Sequence, residues 1–383
     1  MNTTQIYQLV NDVNSQAFGE TALAVADTQG LISLGTTVLS STNNTEAFLN
    51  ALVQRIGRTI ISFRAYRNKF SDMVRDDFEW GAILQKIRVK LPDAVADPAY
   101  NLENGESVDP WTVYKPEVTQ KLFVSRSPYM IPVTIARTQL KEAFTSDSAM
   151  GAFISAIFGQ VRNALEISLE NLGRLAITNF IAEVTPAGET PTTINHEVAL
   201  VTEYNTDNSL SGDDAVTAAT AMNNPDFLRY AVSRIKSMSD YMIDMGVLYN
   251  DGSLETFTPR ENQRLKVLSS FERKLETVVQ YSAFNEKMVD LGAFDMVNFW
   301  QAQSVNSSRS SINITRASDG ETVTKSNIVA VLYDVEALGM YRRDEDVLTT
   351  PVNAKGLYYN TFYHVKQLWF NDLSENFVYF TLN

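Results

Sequence analysis

The feature that most constrains this chain is one apolar stripe across residues 146–182. Met150, Phe153, Ile154, Ile157, Phe158, Val161, Leu165, Leu169, Leu172, Leu175, Ala176 and Phe180 recur at the spacing of a single helix face, and Ser146 or Asp147 is placed to cap it. At 1.5 Å per residue such a helix spans roughly 50 Å, more than one small domain can cover. Gly151, Gly159 and Gly173 weaken it as a solitary helix. Two architectures accommodate it: a large α/β protein with a long core helix, or a protein built along a structural spine.

Ahead of the stripe lies a second demanding segment. Residues 83–91 alternate strictly, with Ile83, Gln85, Ile87, Val89 and Leu91 on one face and Leu84, Lys86, Arg88 and Lys90 on the other. Residues 117–124 answer as a second strand. Between them, residues 92–116 are rich in Pro, Gly and Asn and set Asp93, Asp97, Glu103, Glu106 and Asp109 against Lys115 alone. A connection of this length without structure is unusual in a compact domain. A two-stranded arm is marginal in water unless it lies on something. The basic strand (Lys86, Arg88, Lys90) and the acidic tip (Asp97, Glu103, Glu106) lack local partners in the sequence, so they are expected to meet across subunits. Head-to-tail contact of that kind closes into rings.

The flanks are read the same way. Residues 1–47 are polar and weakly periodic, with Gly19, Gly30 and Gly35, and predict a short helix near 6–13 followed by an extended arm that orders against a neighbouring subunit. Phe48, Leu49, Leu52, Val53 and Ile56 predict a helix over 46–56. After a polar boundary at 185–214, strands and helices alternate through 215–340. Asn224-Pro225 opens a helix with its cap and first residue, and Ser269 with Glu272 forms a capping box for a helix over 271–281. Strands are predicted at 265–268, 297–300 and 328–333, with a hairpin over 312–324 turning at Asp319-Gly320. The final 28 residues hold nine aromatics in two runs, 358–370 and 377–380, around a polar segment at 371–376. They read as paired strands that hold the chain end in the core.

Composition removes several function classes. There is no cysteine, and histidine occurs only at His196 and His364, which excludes thiolate chemistry, disulfides and Cys/His zinc sites. No apolar run approaches the ~18 residues of a membrane span. The N-terminus lacks a signal-peptide pattern, so a cytoplasmic product is expected. A net charge of −13 argues against general affinity for nucleic acid; it suits the inner wall of a container, and equally suits plain solubility. No phosphate loop, dinucleotide turn, zincin motif or nucleophile elbow is present. Asp344-Glu345-Asp346 behind Arg342-Arg343 reads as a solvated charge run. Asp72, Asp76, Asp77 and Glu79, interleaved with Lys69 and Arg75, read as a polar interface, and His364 as a core or interface histidine. No catalytic, cofactor or metal residues are assigned.

Three segments carry a family resemblance. They are Phe48-Leu-Asn-Ala-Leu-Val-Gln-Arg-Ile-Gly57, the approach to the long helix (Lys121-Leu-Phe-Val-Ser-Arg126 through Thr138-Gln-Leu-Lys-Glu-Ala-Phe144), and Lys355-Gly-Leu-Tyr-Tyr-Asn-Thr-Phe-Tyr-His-Val-Lys-Gln-Leu368. With the element order, they resemble the major capsid proteins of phi29-like small tailed phages, which have the Hong Kong 97-type capsid fold. The resemblance implies an α+β chain with an N-terminal arm (1–47) and an extended two-stranded E-loop (68–120). It further implies a peripheral domain (48–67, 121–199 and 345–383) carrying the spine helix, and an axial α/β domain (200–344).

The implied function is self-assembly, as pentamers and hexamers, into an icosahedral or prolate shell that encloses double-stranded phage DNA without binding it specifically. Scaffolding and portal proteins are the implied partners, the virion is the implied location, and synthesis is in the host cytoplasm. No cofactor, membrane contact or enzymatic activity is implied. Some members carry an immunoglobulin-like domain after the core; this chain ends at Asn383 without one, so decoration by that route is not expected. The Lys–Asn cross-link of some relatives has candidates in Lys86, Lys90 and Lys115, but nothing singles one out and no cross-link is expected. Two alternatives stay open: an encapsulin-like shell around cargo proteins, and a soluble α/β enzyme or binding protein with a site built from scattered Asp, Glu and Tyr.

Overall fold

The computed structural model describes residues 3–19, 25–56, 68–75, 84–92, 94–100, 102–123, 126–185, 196–251, 254–279, 294–301, 308–316 and 318–383. The chain forms two compact units, one from residues 1–78, 126–172 and 340–368, the other from residues 79–125, 173–339 and 369–383.

In the first unit the expected extended arm is instead helical. Thr3–Phe18 and Thr28–Leu39 are α-helices, followed at once by Thr42–Ile56. Ile6, Leu9, Val10 and Val13 stand three and four residues apart, and they share one core with Leu31, Leu34, Val38, Phe48, Leu49 and Leu52. The helix expected near 6–13 is present and longer, whereas Thr28–Leu39 was concealed by its glycines and threonines, which read as an extended segment. Asp27 caps the second helix, its Oδ1 accepting from the Gly30 N–H at 2.7 Å. The Asn11 side chain accepts from the Val25 N–H at 2.6 Å and donates to the Val25 carbonyl at 2.8 Å, standing in for a backbone partner. Gly35 permits the close approach of this layer, because a Cβ there would lie 2.6 Å from Cβ of Phe144.

The same unit carries a four-stranded sheet in the order Val74–Arg75, Leu338–Thr349, Tyr358–Asn371, Arg126–Ala136. The last pair is antiparallel from Leu368 opposite Arg126 to Tyr358 opposite Ala136. Arg126–Ala136 is an edge strand, which is why it tolerates Pro128 and Pro132. The long helix is Asp147–Val184, 38 residues. Ser146 caps it, accepting from the Ala149 N–H at 3.2 Å. Val161 and Leu165 bury themselves against Tyr363 and Val365 of the sheet. Leu175, expected on the stripe, is exposed, whereas Ala176, Ile177, Thr178, Phe180, Ile181 and Ala182 are all buried. The helix end in the second unit is covered on most sides, so its periodicity no longer marks a single face. The Phe158 side chain lies outside the described residues.

The second unit centres on a five-stranded sheet in the order Glu197–Ala199, Phe377–Thr381, Ile328–Asp334, Gln263–Leu268, Asp295–Val297. Ile328–Asp334, buried at every position, is antiparallel to both neighbours, and the two outer strands join in parallel. Asn224 caps Pro225–Tyr241 through the N–H groups of Asp226 and Phe227. Ser269–Lys274 continues into a π-turn at Leu275–Val279, and the remainder of the expected 271–281 helix lies outside the described residues. The hairpin Ile312–Thr315/Thr322–Lys325 turns through Gly320 at φ +77°.

One expectation is overturned here. The two C-terminal aromatic runs do not pair with each other: Tyr358–Asn371 belongs to the four-stranded sheet and Phe377–Thr381 to the five-stranded one. The segment between them is no surface turn, since Asp372, Ser374, Glu375 and Asn376 are all buried. The final strand instead brings Phe377 onto Phe180, their rings stacked at 4.0 Å between centroids.

Candidate subunit interface

The hairpin Leu84–Val89/Val118–Phe123 is antiparallel, with Lys86 opposite Lys121, Arg88 opposite Thr119 and Val89 opposite Val118. Alternation gives it two faces, as expected, but the basic face is the one turned inward. Lys86 Nζ lies 2.5 Å from Glu375, 2.9 Å from Asp372 and 3.1 Å from Glu336. Arg88 reaches Glu375 at 2.9 Å and donates to the Ser374 carbonyl and to Thr256 Oγ1, each at 2.9 Å. Lys121 lies 2.8 Å from Asp251 and 3.3 Å from Asp372. Two lysines directly opposite on one face repel, and the buried Asp372 carboxylate reaches both.

The titration of this clasp follows from burial and charge together. Burial pushes the Asp372 carboxyl up, but the charge of Lys86, the Ser374 hydroxyl and Lys121 outweigh it and hold the group below the usual carboxylate range. At Glu375 burial wins over Lys86 and Arg88, and the carboxyl sits above its usual range. Burial lowers Lys86, yet Asp372 and Glu375 more than reverse that and raise it.

The premise that the basic strand is unpartnered is therefore corrected: Lys86 and Arg88 are engaged within their own unit, and Lys90 lies 3.6 Å from Glu117. Asp97, Glu103 and Glu106 are exposed and have no basic partner among the described residues. Asp372, Glu375, Lys121 and Asp251 were missed by sequence reasoning. The available signal was the density of polar groups at 371–376 between two aromatic runs, more than a bare turn requires.

The outward face of the hairpin is apolar. Ile87, Val89, Val118 and Leu122 are each more than half exposed. Exposure continues along the loop through Val95, Tyr100, Val113 and Tyr114 to Trp111, which is 84% exposed. The loop is built from local turns: Ala99 N–H donates to Asp97, Trp111 N–H and Thr112 Oγ1 donate to Asp109, and Gly105 takes φ +97°. Exposed apolar side chains in this number make the hairpin and its loop the candidate contact surface.

The other sequence candidates separate. His364 is exposed, its ring 6.4 Å from that of Phe362, so the core reading does not hold. His196 is buried, with Nδ1 2.7 Å from the Phe377 carbonyl. Asp76, Asp77 and Glu79, and the side chains of residues 342–345, lie outside the described residues. Among the described residues no group of three or more His, Cys, Asp or Glu could hold a metal ion, and no helix is long and apolar enough to cross a membrane.

Comparison with known proteins now bears on this geometry. The family model for Phi29-like phage major capsid proteins matches residues 8–381. The major capsid protein of Bacillus phage B103 is 22% identical over 375 residues, covering 96% of this chain and 71% of its own length. That of Bacillus phage GA-1 is 25% identical over 188 residues, covering 48% of this chain and 38% of its own length. Among solved structures, the capsid of Staphylococcus phage Andhra contains a chain with a TM-score of 0.51 at 11% identity, covering 85% of this chain and 87% of its own length. The fold is thus the phage capsid fold expected from the element order, and the chain belongs to the Phi29-like phage major capsid protein family as a shell protein of the virion.

Proposed function

We propose that this chain self-assembles, as pentamers and hexamers, into an icosahedral or prolate shell around a double-stranded DNA genome. Its role is structural: it performs no catalysis and needs no cofactor. It is made in the host cytoplasm and assembles with scaffolding and portal proteins. We assign residues 48–67, 121–199 and 345–383, with the spine helix, to the peripheral domain, residues 200–344 to the axial domain, residues 68–120 to the extended E-loop and residues 1–47 to the N-terminal arm.

One observation supports this most: a hairpin anchored by its charges presents its apolar face outward, uncovered by its own unit. In a monomer that surface has no use, whereas in a lattice it lies on the next copy. In this reading Lys90, Asp97, Glu103 and Glu106 take part in inter-subunit contact, while Lys86 and Arg88 act within the chain. Negative-stain microscopy with light scattering on the purified chain tests it. Shells, tubes or five- and six-membered rings are the expected result; a monodisperse monomer at high concentration, unchanged by scaffolding protein, refutes it.

A further inference from the structure

The second unit holds a groove of about 680 Å³ beside the end of the hairpin from which the loop departs. Its walls are mixed and partly open, and the apolar part is Leu91, Met245, Val247 and Phe257, each between 38% and 55% exposed. Its charges are unbalanced, with Arg88 and Lys90 facing Glu255, Asp334, Glu336 and Glu375. Arg88 is held by Glu375, Lys90 by Glu117, and Glu336 by Lys86. Asp334 is buried and accepts from the Glu336 N–H, whereas Glu255 is exposed and has no ion pair among the described residues. The groove therefore calls for an apolar segment that carries one positive charge.

The chain itself supplies such a segment. Among residues 91–116 Lys115 is the sole base, and it too is exposed without an ion pair among the described residues. Trp111, Val113 and Tyr114 beside it are each at least 75% exposed. The neighbouring Asp109 is already occupied by the Trp111 N–H and the Thr112 hydroxyl. Pro116 biases Lys115 toward extended backbone, and in an extended chain Trp111, Val113 and Lys115 share a face. A Trp or Tyr contributes about 150–250 Å² of burial, and such aromatic anchors dominate interface energetics.

We propose that residues 111–115 of one copy seat in this groove of the next, with Trp111 and Val113 against Met245, Val247 and Phe257 and Lys115 at Glu255. The contact is heterologous, so each copy donates one segment and receives another, and repetition closes a ring. This rests on the shell reading and adds to it the receiving surface and the segment received.

The absence of native cysteine makes the test clean. Particles assembled from a Lys115→Cys/Glu255→Cys chain are treated with a short bismaleimide and run under denaturing conditions. Dimers through hexamers are expected, with none from either single variant. Particles whose subunits run only as monomers overturn the docking. Should the double-cysteine chain not assemble, charge exchange replaces it. Lys115→Glu or Glu255→Lys alone is expected to raise the concentration needed for assembly by roughly twofold to fivefold, in keeping with an exposed ion pair, and the two together restore it. Absence of restoration overturns the docking. Wild-type chain that never assembles refutes the shell reading itself, which keeps the two failures apart.

Discussion

Two buried residues set the stability of the second unit in opposite chemical ways. Asp372 lies between Lys86 and Lys121, its carboxyl held below the usual range because those charges and Ser374 outweigh burial. A carboxyl lowered in this way contributes stability at every pH above its unfolded value of about 3.9, and loses it as the pH falls through the folded value. Asp372→Ala leaves two lysines facing each other with only Glu336, Glu375 and Asp251 to hold them, and a loss of about 1–3 kcal/mol is expected from the urea midpoint. A loss under about 1 kcal/mol would show that the hairpin does not depend on the clasp. His196 behaves differently. Burial lowers its imidazole despite the bond to the Phe377 carbonyl, so the folded chain keeps it neutral, with Nδ1–H donating. The unfolded chain takes up the proton first, so stability is full above about pH 6.5 and declines as the pH drops below it. His196→Gln should flatten that decline between about pH 7.5 and pH 5.5 in denaturant titrations. An identical slope in both chains would rule His196 out as its source.

At the scale of elements, the proposed contact role of the hairpin and its loop predicts that folding and assembly separate there. Residues 92–116 make turns among themselves and are exposed throughout the described positions. Replacing 94–114 by a short Gly-Ser turn should leave circular dichroism and the melting transition unchanged while abolishing particles; particles of normal size from that variant would remove the loop from the lattice. The N-terminal helices make the opposite case. Gly35→Ala drives a methyl to within 2.6 Å of Phe144 Cβ, and overpacking of that kind costs about 1–3 kcal/mol, measurable as a lower denaturant midpoint before any assembly. Both strands of the hairpin, the spine and its Ser146 cap, and the Asp319-Gly320 turn were legible, because each is written in local periodicity or in a residue with one backbone preference. The helix near 6–13 was legible too, though it runs longer, over Thr3–Phe18. Thr28–Leu39 was not: its Leu31, Leu34 and Val38 stand among glycines and threonines, and only the facing core shows that they are buried.

For the whole molecule, the proposed assembly couples the loop to a lattice, and hydrogen exchange reports it directly. Amides of residues 110–116 should exchange fast in the free chain and become protected in particles, together with residues 243–257 around the groove. Ile328–Asp334, buried and paired on both edges, should stay slow in either state. Unchanged exchange at 110–116 in particles would place the loop outside the contacts.

The sequence by itself determined the order and kind of the main elements. It fixed a helix too long for one small domain, a long arm flanked by alternating strands, aromatic strands at the end and no catalytic constellation. All of these are properties of spacing and residue type along the chain. Tertiary structure decided which surface meets what. Alternation defines two faces of a strand but not which one is covered, and here carboxylates almost 250 residues or more away, at 336, 372 and 375, drew the basic face inward and left the apolar face exposed. It likewise sent the two aromatic runs to different sheets, because the polar segment between them is buried rather than solvated. Burial and long-range charge depend on what approaches from elsewhere in the chain, and a local pattern holds no record of that.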